Sequence, residues 1–229
     1  MAGNGAHGGG AAGSAAGGPP PLDTSDMLAV HGALRDTLAA GSTRVLGVAP
    51  DDDERRELIC GYYEDILWFL HVHHDGEEEL VFPKVRERAP AAAALLDAME
   101  AQHREVVELL SASEGALAAW RAGDGAVQER LAGDLRALSQ ALEPHLVEEE
   151  TELLPFGAQT LTAEEWGALP GHALSQYQGD KVWLVIGLIM ERRTPDERQV
   201  MLEHMPPPVV QMWHDVGQRS FDEMAAEVG

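Results

Sequence analysis

Two short histidine–glutamate runs carry the chemistry this chain could do. One reads His74-Asp75-Gly76-Glu77-Glu78-Glu79-Leu80-Val81-Phe82-Pro83, and the other His145-Leu146-Val147-Glu148-Glu149-Glu150-Thr151-Glu152-Leu153-Leu154-Pro155. In each a Glu follows the His by four residues, pairing His74 with Glu78 and His145 with Glu149. On a helix that gap sets two side chains one turn apart on the same face, about 5–6 Å between Cβ atoms. An imidazole nitrogen and a carboxylate oxygen then converge on one cation, and an inward carboxylate bridges two cations about 3.5–4 Å apart. His31 and His103 fall on apolar stripes elsewhere and are expected to aim at the same interior. Either glutamate run taken alone reads as a solvated acidic face. A single His on an apolar stripe is more often a core residue bonded to a carbonyl. The four features together favour a two-metal site, because burying four imidazoles and two carboxylates without a cation would cost several kcal/mol.

The elements that must position these groups look helical throughout. Apolar residues recur at three and four, and strand-like runs bounded by Asn-Gly or Asp-Gly turns are missing. The first helix starts at Ser25 or Asp26, carries Met27, Leu28, His31, Leu34, Arg35 and Leu38, and ends at Gly41. A second opens on the acidic stretch Asp51 to Glu54, suited to a helix N-terminus. It runs through Leu58, Tyr62, Ile66, Phe69 and Leu70 to about Phe82, where Pro83 bends or ends it. A third begins at Pro90 and takes Leu95, Met99, His103, Val106 and Leu110 toward Trp120. After the break at Gly123-Asp124-Gly125, a fourth covers Val127, Leu131, Leu135, Leu138, Leu142, His145 and Glu149 and stops before Pro155, with Pro144 expected to kink or divide it.

Four helices with short joints predict an all-α, up-down-up-down four-helix bundle over residues 23–157. Residues 158–229 form a C-terminal helical extension, with candidate helices over Glu164–Tyr177, Asp180–Arg193 and from Pro206-Pro207-Pro208 to about Val228. Residues 1–22 read as a disordered tail of Gly, Ala, Ser and Pro, too poor in apolar side chains to fold. The tail has neither the basic start nor the apolar centre of a secretory signal, and His7 within it is expected to be inert.

Composition narrows the function classes. The chain has 229 residues, with 39 acids against 16 Lys and Arg for a formal charge of −23, so phosphate backbones and anionic lipid surfaces are poor partners. The longest apolar run, Val182 to Met190, is far short of the roughly 20 residues a bilayer span needs. A lone cysteine, Cys60, offers no internal disulfide and reads as a small buried hydrophobe. These features point to a cytoplasmic protein. No Gly-x-Ser-x-Gly, phosphate-binding glycine loop or Cys-x-x-Cys occurs to suggest nucleophilic or nucleotide chemistry.

With these residues in view, the chain resembles the hemerythrin-like, or HHE cation-binding, proteins. The resemblance rests on His73-His74-Asp75-Gly76-Glu77-Glu78 before Phe82-Pro83, and on His145-x-x-x-Glu149 before Leu154-Pro155, and covers about residues 25 to 157. It implies a four-helix bundle around a non-haem di-iron centre bridged by two carboxylates. Carried over by position, the ligands to two iron ions would be His31, His74, Glu78, His103, His145 and Glu149. The oxygen-carrying hemerythrins have a fifth His on the third helix, one turn from the first. Here the neighbouring positions hold Met99 and Val107, so His71, three residues before His74, is the expected substitute, with Asp75 next. His73 lies about 100° around the helix from His74 and is expected outside the site.

The resemblance implies a site that binds or senses O2, peroxide or NO, with catalase-like turnover as a side activity. The alternative is a di-iron, O2-dependent oxidative enzyme whose small organic substrate sits under the C-terminal extension, among Trp183, Met190, Met205, Met212 and Trp213. Those residues equally suit a plain core, and His172, His204 and His214 are expected to hold no metal. A ferritin-like reading is disfavoured because Glu100-Ala101-Gln102-His103 is a Glu-x-x-His motif without a matching second copy.

Overall fold

A computed structural model describes residues 22–177 and 181–229. Among the described residues the chain is helical, without strands. The expected tail falls almost wholly outside them, as do Asp180 and His7. Four long helices carry the centre: α1 (Ser25–Leu46), α2 (Asp53–Gly76), and, after a short α3 (Phe82–Arg88), α4 (Ala93–Arg121) and α5 (Gln128–Glu148). Helix α5 packs along α1 and α4, and α2 packs against α4 and α1, so each long helix touches two others. Their apolar stripes close on one core that includes Leu34, Leu38, Ile59, Tyr63, Ile66, Leu70, Leu131, Leu135, Leu138 and Leu142.

Local chemistry explains several helix ends. Asp52 caps α2 by accepting from the Arg55 backbone N–H at 2.9 Å, and Asp53 and Glu54 lie at the positive end of the helix. Helix α1 runs past Gly41 to Leu46, against the expected stop. Gly41 is instead the close-packing point, where a Cβ would come within 3.2–3.3 Å of Leu135 and Tyr63. Pro144 lies inside α5, which continues through it.

The two prolines after the His–Glu runs act differently from simple stops. A single π-helical turn, Glu77–Val81, follows α2, and another, Glu149–Leu153, follows α5. Each closes with a bond five residues back, from Phe82 N–H to the Glu77 carbonyl and from Leu154 N–H to the Glu149 carbonyl. Pro83 and Pro155 come next, and a proline ring crowds the carbonyl four residues before it. Widening the turn by one residue relieves that clash without ending the helix. The chain then continues in α3 and in α6 (Leu154–Thr160). A smaller apolar cluster, with Phe82, Val85, Leu96, Met99, Leu153 and Leu154, seals this end.

The C-terminal part departs from the three expected helices. The first is broken at Gly167 into α7 (Ala163–Trp166) and α8 (Ala168–Gln176). Helix α9 (Val182–Glu191) follows, and then α10 (Pro195–His204), which lies between the expected helices. Its signal was present: Thr194 and Glu197 form a capping box around Pro195. The last stretch is α11 (Pro207–Met212), a π turn and α12 (Gln218–Val228). Helices α9 and α12 pack on each other and on α1 and α2. Among the described residues no helix is long and apolar enough to cross a membrane.

Candidate metal centre

The helices bring seven side chains to one buried point. His74, Glu77, His103 and His145 place one ligand atom each within 4.8 Å of one another, and so do His31, His73, Glu77 and Glu149. Glu77 belongs to both groups. Its Oε1 lies 3.2 Å from His73 Nε2 and its Oε2 lies 3.5 Å from His103 Nε2, one oxygen toward each group. Glu149 Oε2 is 3.3 Å from His31 Nε2 and 3.9 Å from His145 Nε2, so it too lies between the groups. All seven residues are at most 9% exposed.

These residues fit a pair of cations by their own chemistry. The Nε2 atoms of His31, His73, His74, His103 and His145, both Glu77 oxygens and Glu149 Oε2 are buried without a hydrogen-bond partner. An orphaned buried polar atom costs about 1–3 kcal/mol, and here the orphans face one another within two overlapping groups. Burial drives the His73 and His74 imidazoles well below their ordinary range, with neighbouring imidazoles adding to it. Burial, then His103 and His31, lowers His145 to about 3. These rings are therefore neutral and offer lone pairs. Burial, and next the Glu149 charge, raises Glu77 far above the carboxylate range. Cations would reverse that penalty by placing positive charge between the two carboxylates.

Further groups orient the rings from behind. His31 Nδ1 lies 3.0 Å from Glu150 Oε1, and His103 Nδ1 lies 2.8 Å from Glu78 Oε1. His145 Nδ1 lies 3.0 Å from Gln102 Oε1, and the Gln102 amide donates to Glu148 at 2.7 Å. A neutral ring donating from Nδ1 presents its Nε2 lone pair to the interior. Arg35 holds Glu150 at 3.3 Å and Glu143 at 2.6 Å. The bond from His31, joined by the His31 and Arg35 charges and opposed by burial, leaves Glu150 below the usual carboxylate range. Each π turn thus works in the same way. Its first Glu enters the centre, and its second supports a His on another helix.

The expected ligand residues divide accordingly. The structure brings His31, His74, His103, His145 and Glu149 together. It does not bring Glu78, whose side chain is 47% exposed and reaches only His103 Nδ1. It does not bring His71, which is 39% exposed and sits 3.3 Å from a half-exposed Asp75. Glu77 and His73 occupy the inward positions instead, so the fifth imidazole of the cluster is His73 and not His71.

The reason is the core stripe of α2. Ile59, Tyr63, Ile66, Leu70, His73 and Glu77 follow one another at spacings of three and four. Taking about 100° per residue, His73 and His74 fall about 40° and 60° to either side of Glu77, while Glu78 and His71 lie about 100° and 120° from it, outside that arc. The apolar stripe, and not the four-residue His–Glu spacing, marks the inward face of α2.

The remaining candidates lie elsewhere. His172 Nδ1 is 3.7 Å from Glu79 Oε2, His204 bonds the Val200 carbonyl at 2.7 Å, and His214 is exposed. Trp183, Met190, Met205, Met212 and Trp213 belong to or pack on the main apolar core. Cys60 is buried there too, its thiol pushed up to about 11 by burial. Gly76 borders α8, where a Cβ would make ordinary contact with Leu169 and His172.

Comparison with known proteins agrees with this construction. Curated relatives include uncharacterized proteins of Mycobacterium bovis and Mycobacterium tuberculosis, each 26% identical over 142 residues, covering 62% of this chain and 55% of theirs. The chain spans about half the length of those relatives. No solved structure matches it significantly. The hemerythrin HHE cation-binding domain matches residues 22–156, the stretch that supplies all seven converging side chains. By that match, the chain belongs to the hemerythrin HHE cation-binding family.

Proposed function

We propose that this is a non-haem di-iron protein that binds or senses O2, peroxide or NO. Residues 23–157 form its up-down-up-down bundle and residues 158–229 its extension, and it acts in the cytoplasm. One ion would be held by His74, Glu77, His103 and His145, and the other by His31, His73, Glu77 and Glu149. The observation that carries this reading is Glu77, with one buried oxygen turned toward each group of histidines. Imidazole with carboxylate suits iron, though also zinc or manganese. Iron, when bound, supplies a redox-active position for a small ligand.

The chain's residues favour reversible binding. Five imidazoles and only two carboxylates carry little negative charge, which stabilises strongly oxidised iron poorly. The burial of all seven side chains holds bulk water off. Glu78, Glu150 and Gln102 keep the rings aligned without occupying the interior.

The test is anaerobic loading with Fe(II), followed by metal analysis, Mössbauer and visible spectra, and oxygen uptake. About two irons per chain, a coupled di-iron signal, and stoichiometric uptake reversed by degassing are expected. A reconstituted protein without any coupled signal would refute the di-iron reading. Catalytic uptake driven by one organic compound would replace binding with oxidation.

A further inference from the structure

Away from the metal centre, a cavity of about 260 Å3 lies where α9 and α12 meet α1 and α2. That volume is just under the roughly 300–1,000 Å3 of drug-sized sites, so it suits a small molecule. Leu184, Leu188, Phe221 and Val228 give it apolar walls, and Tyr62 and Arg44 line the side formed by the first two helices.

Arg44 is the informative residue. Its guanidinium carbon sits 5.4 Å from the centre of the Tyr62 ring, which holds it against that wall. Its Nη1 is buried and has no hydrogen-bond partner. The Tyr62 and Tyr63 hydroxyls lie beside the guanidinium, while the hydroxyl and acidic groups of the rest of the lining are committed or remote. Thr37 Oγ1 donates to the Ala33 and Leu34 carbonyls, and Asp36 is ion-paired with Arg192. Glu191 stands at the exposed rim, where water screens its charge. A buried guanidinium donor left open costs desolvation energy that a bound anion would recover.

We propose that this cavity binds a small monocarboxylic acid with an aliphatic or aromatic tail. Arg44 takes the carboxylate through its planar fork of donors. The tail lies against Leu184, Leu188, Phe221 and Val228. The site is independent of the metal centre, whose ligands lie elsewhere on α1 and α2.

The test is calorimetric titration of the full-length, metal-loaded protein with benzoate and hexanoate, and with benzamide and hexanamide as neutral counterparts. Both acids are expected to bind saturably and at least tenfold more tightly than the amides. They should also raise the melting temperature with concentration. Arg44→Gln removes a charge-assisted contact and should weaken the acids by about 10- to 100-fold. Ala225→Trp, at the exposed lip of the cavity, should abolish binding while leaving Arg44 in place. This second variant keeps the proposal testable if Arg44→Gln folds poorly. Failure of either acid to bind, equal binding of acids and amides, or wild-type affinity in Arg44→Gln would overturn it. Retained binding in Ala225→Trp would place the ligand elsewhere, with the same consequence.

Discussion

Replacing Glu77 and its neighbour Glu78 by glutamine, one at a time, separates two roles that the sequence places side by side. Glu77 is 1% exposed, with both oxygens buried, unpartnered and turned toward different histidine groups. Removing one member of a buried charge pair costs about 3–5 kcal/mol, which is two to three and a half orders of magnitude in affinity. Glu77→Gln should therefore strip metal from both groups after dialysis against a mild chelator. The same change removes like-charge repulsion with Glu149, so the metal-free variant should melt no lower than metal-free wild type. Glu78 is half exposed and acts only on His103 Nδ1 at 2.8 Å. Losing such a supporting partner typically weakens metal affinity 10- to 100-fold, so Glu78→Gln should keep full stoichiometry at excess metal. Elemental analysis across a chelator series, with calorimetry of the stripped proteins, reads both effects. The assignment fails if Glu78→Gln loses its metal while Glu77→Gln keeps two ions per chain.

Other expectations follow from the same geometry. His73→Ala should lower metal content and His71→Ala should leave it unchanged, as elemental analysis of purified variants would show; the opposite order would place the fifth imidazole wrongly. The histidines buried as neutral rings, with His145 lowered to about 3, bind fewer protons folded than unfolded. Stability of the metal-free protein should then fall as pH drops below about 6.5, continuing toward the folded values. A melting temperature flat between pH 7 and 5 would contradict that. A Cβ on Gly187 would overlap the Phe221 ring. Overpacking of that kind costs about 1–3 kcal/mol, so Gly187→Ala should lower the melting temperature by roughly 2–12 °C yet retain its metal. An unchanged melting temperature would show that α9 and α12 do not pack as described.

Much of this protein is legible in its sequence because helix formation and ligand pairing are local. The three-and-four periodicity marks α1, α2, α4 and α5, and the Glu149 position follows from the leucine stripe Leu131, Leu135, Leu138 and Leu142 that leads to it. Such patterns need only the geometry of one helix. The choice of Glu77 over Glu78, and of His73 over His71, needed more. It depended on which arc of α2 faces α1, α4 and α5, and that is settled by how several helices bury their apolar surfaces together. The partnership of Glu150 with His31, or of Gln102 with His145, joins residues far apart in the chain. So does the meeting of Arg44 with α9 and α12 around one cavity. Residue spacing sets who shares a face; only tertiary packing decides which face looks inward and what it finds there.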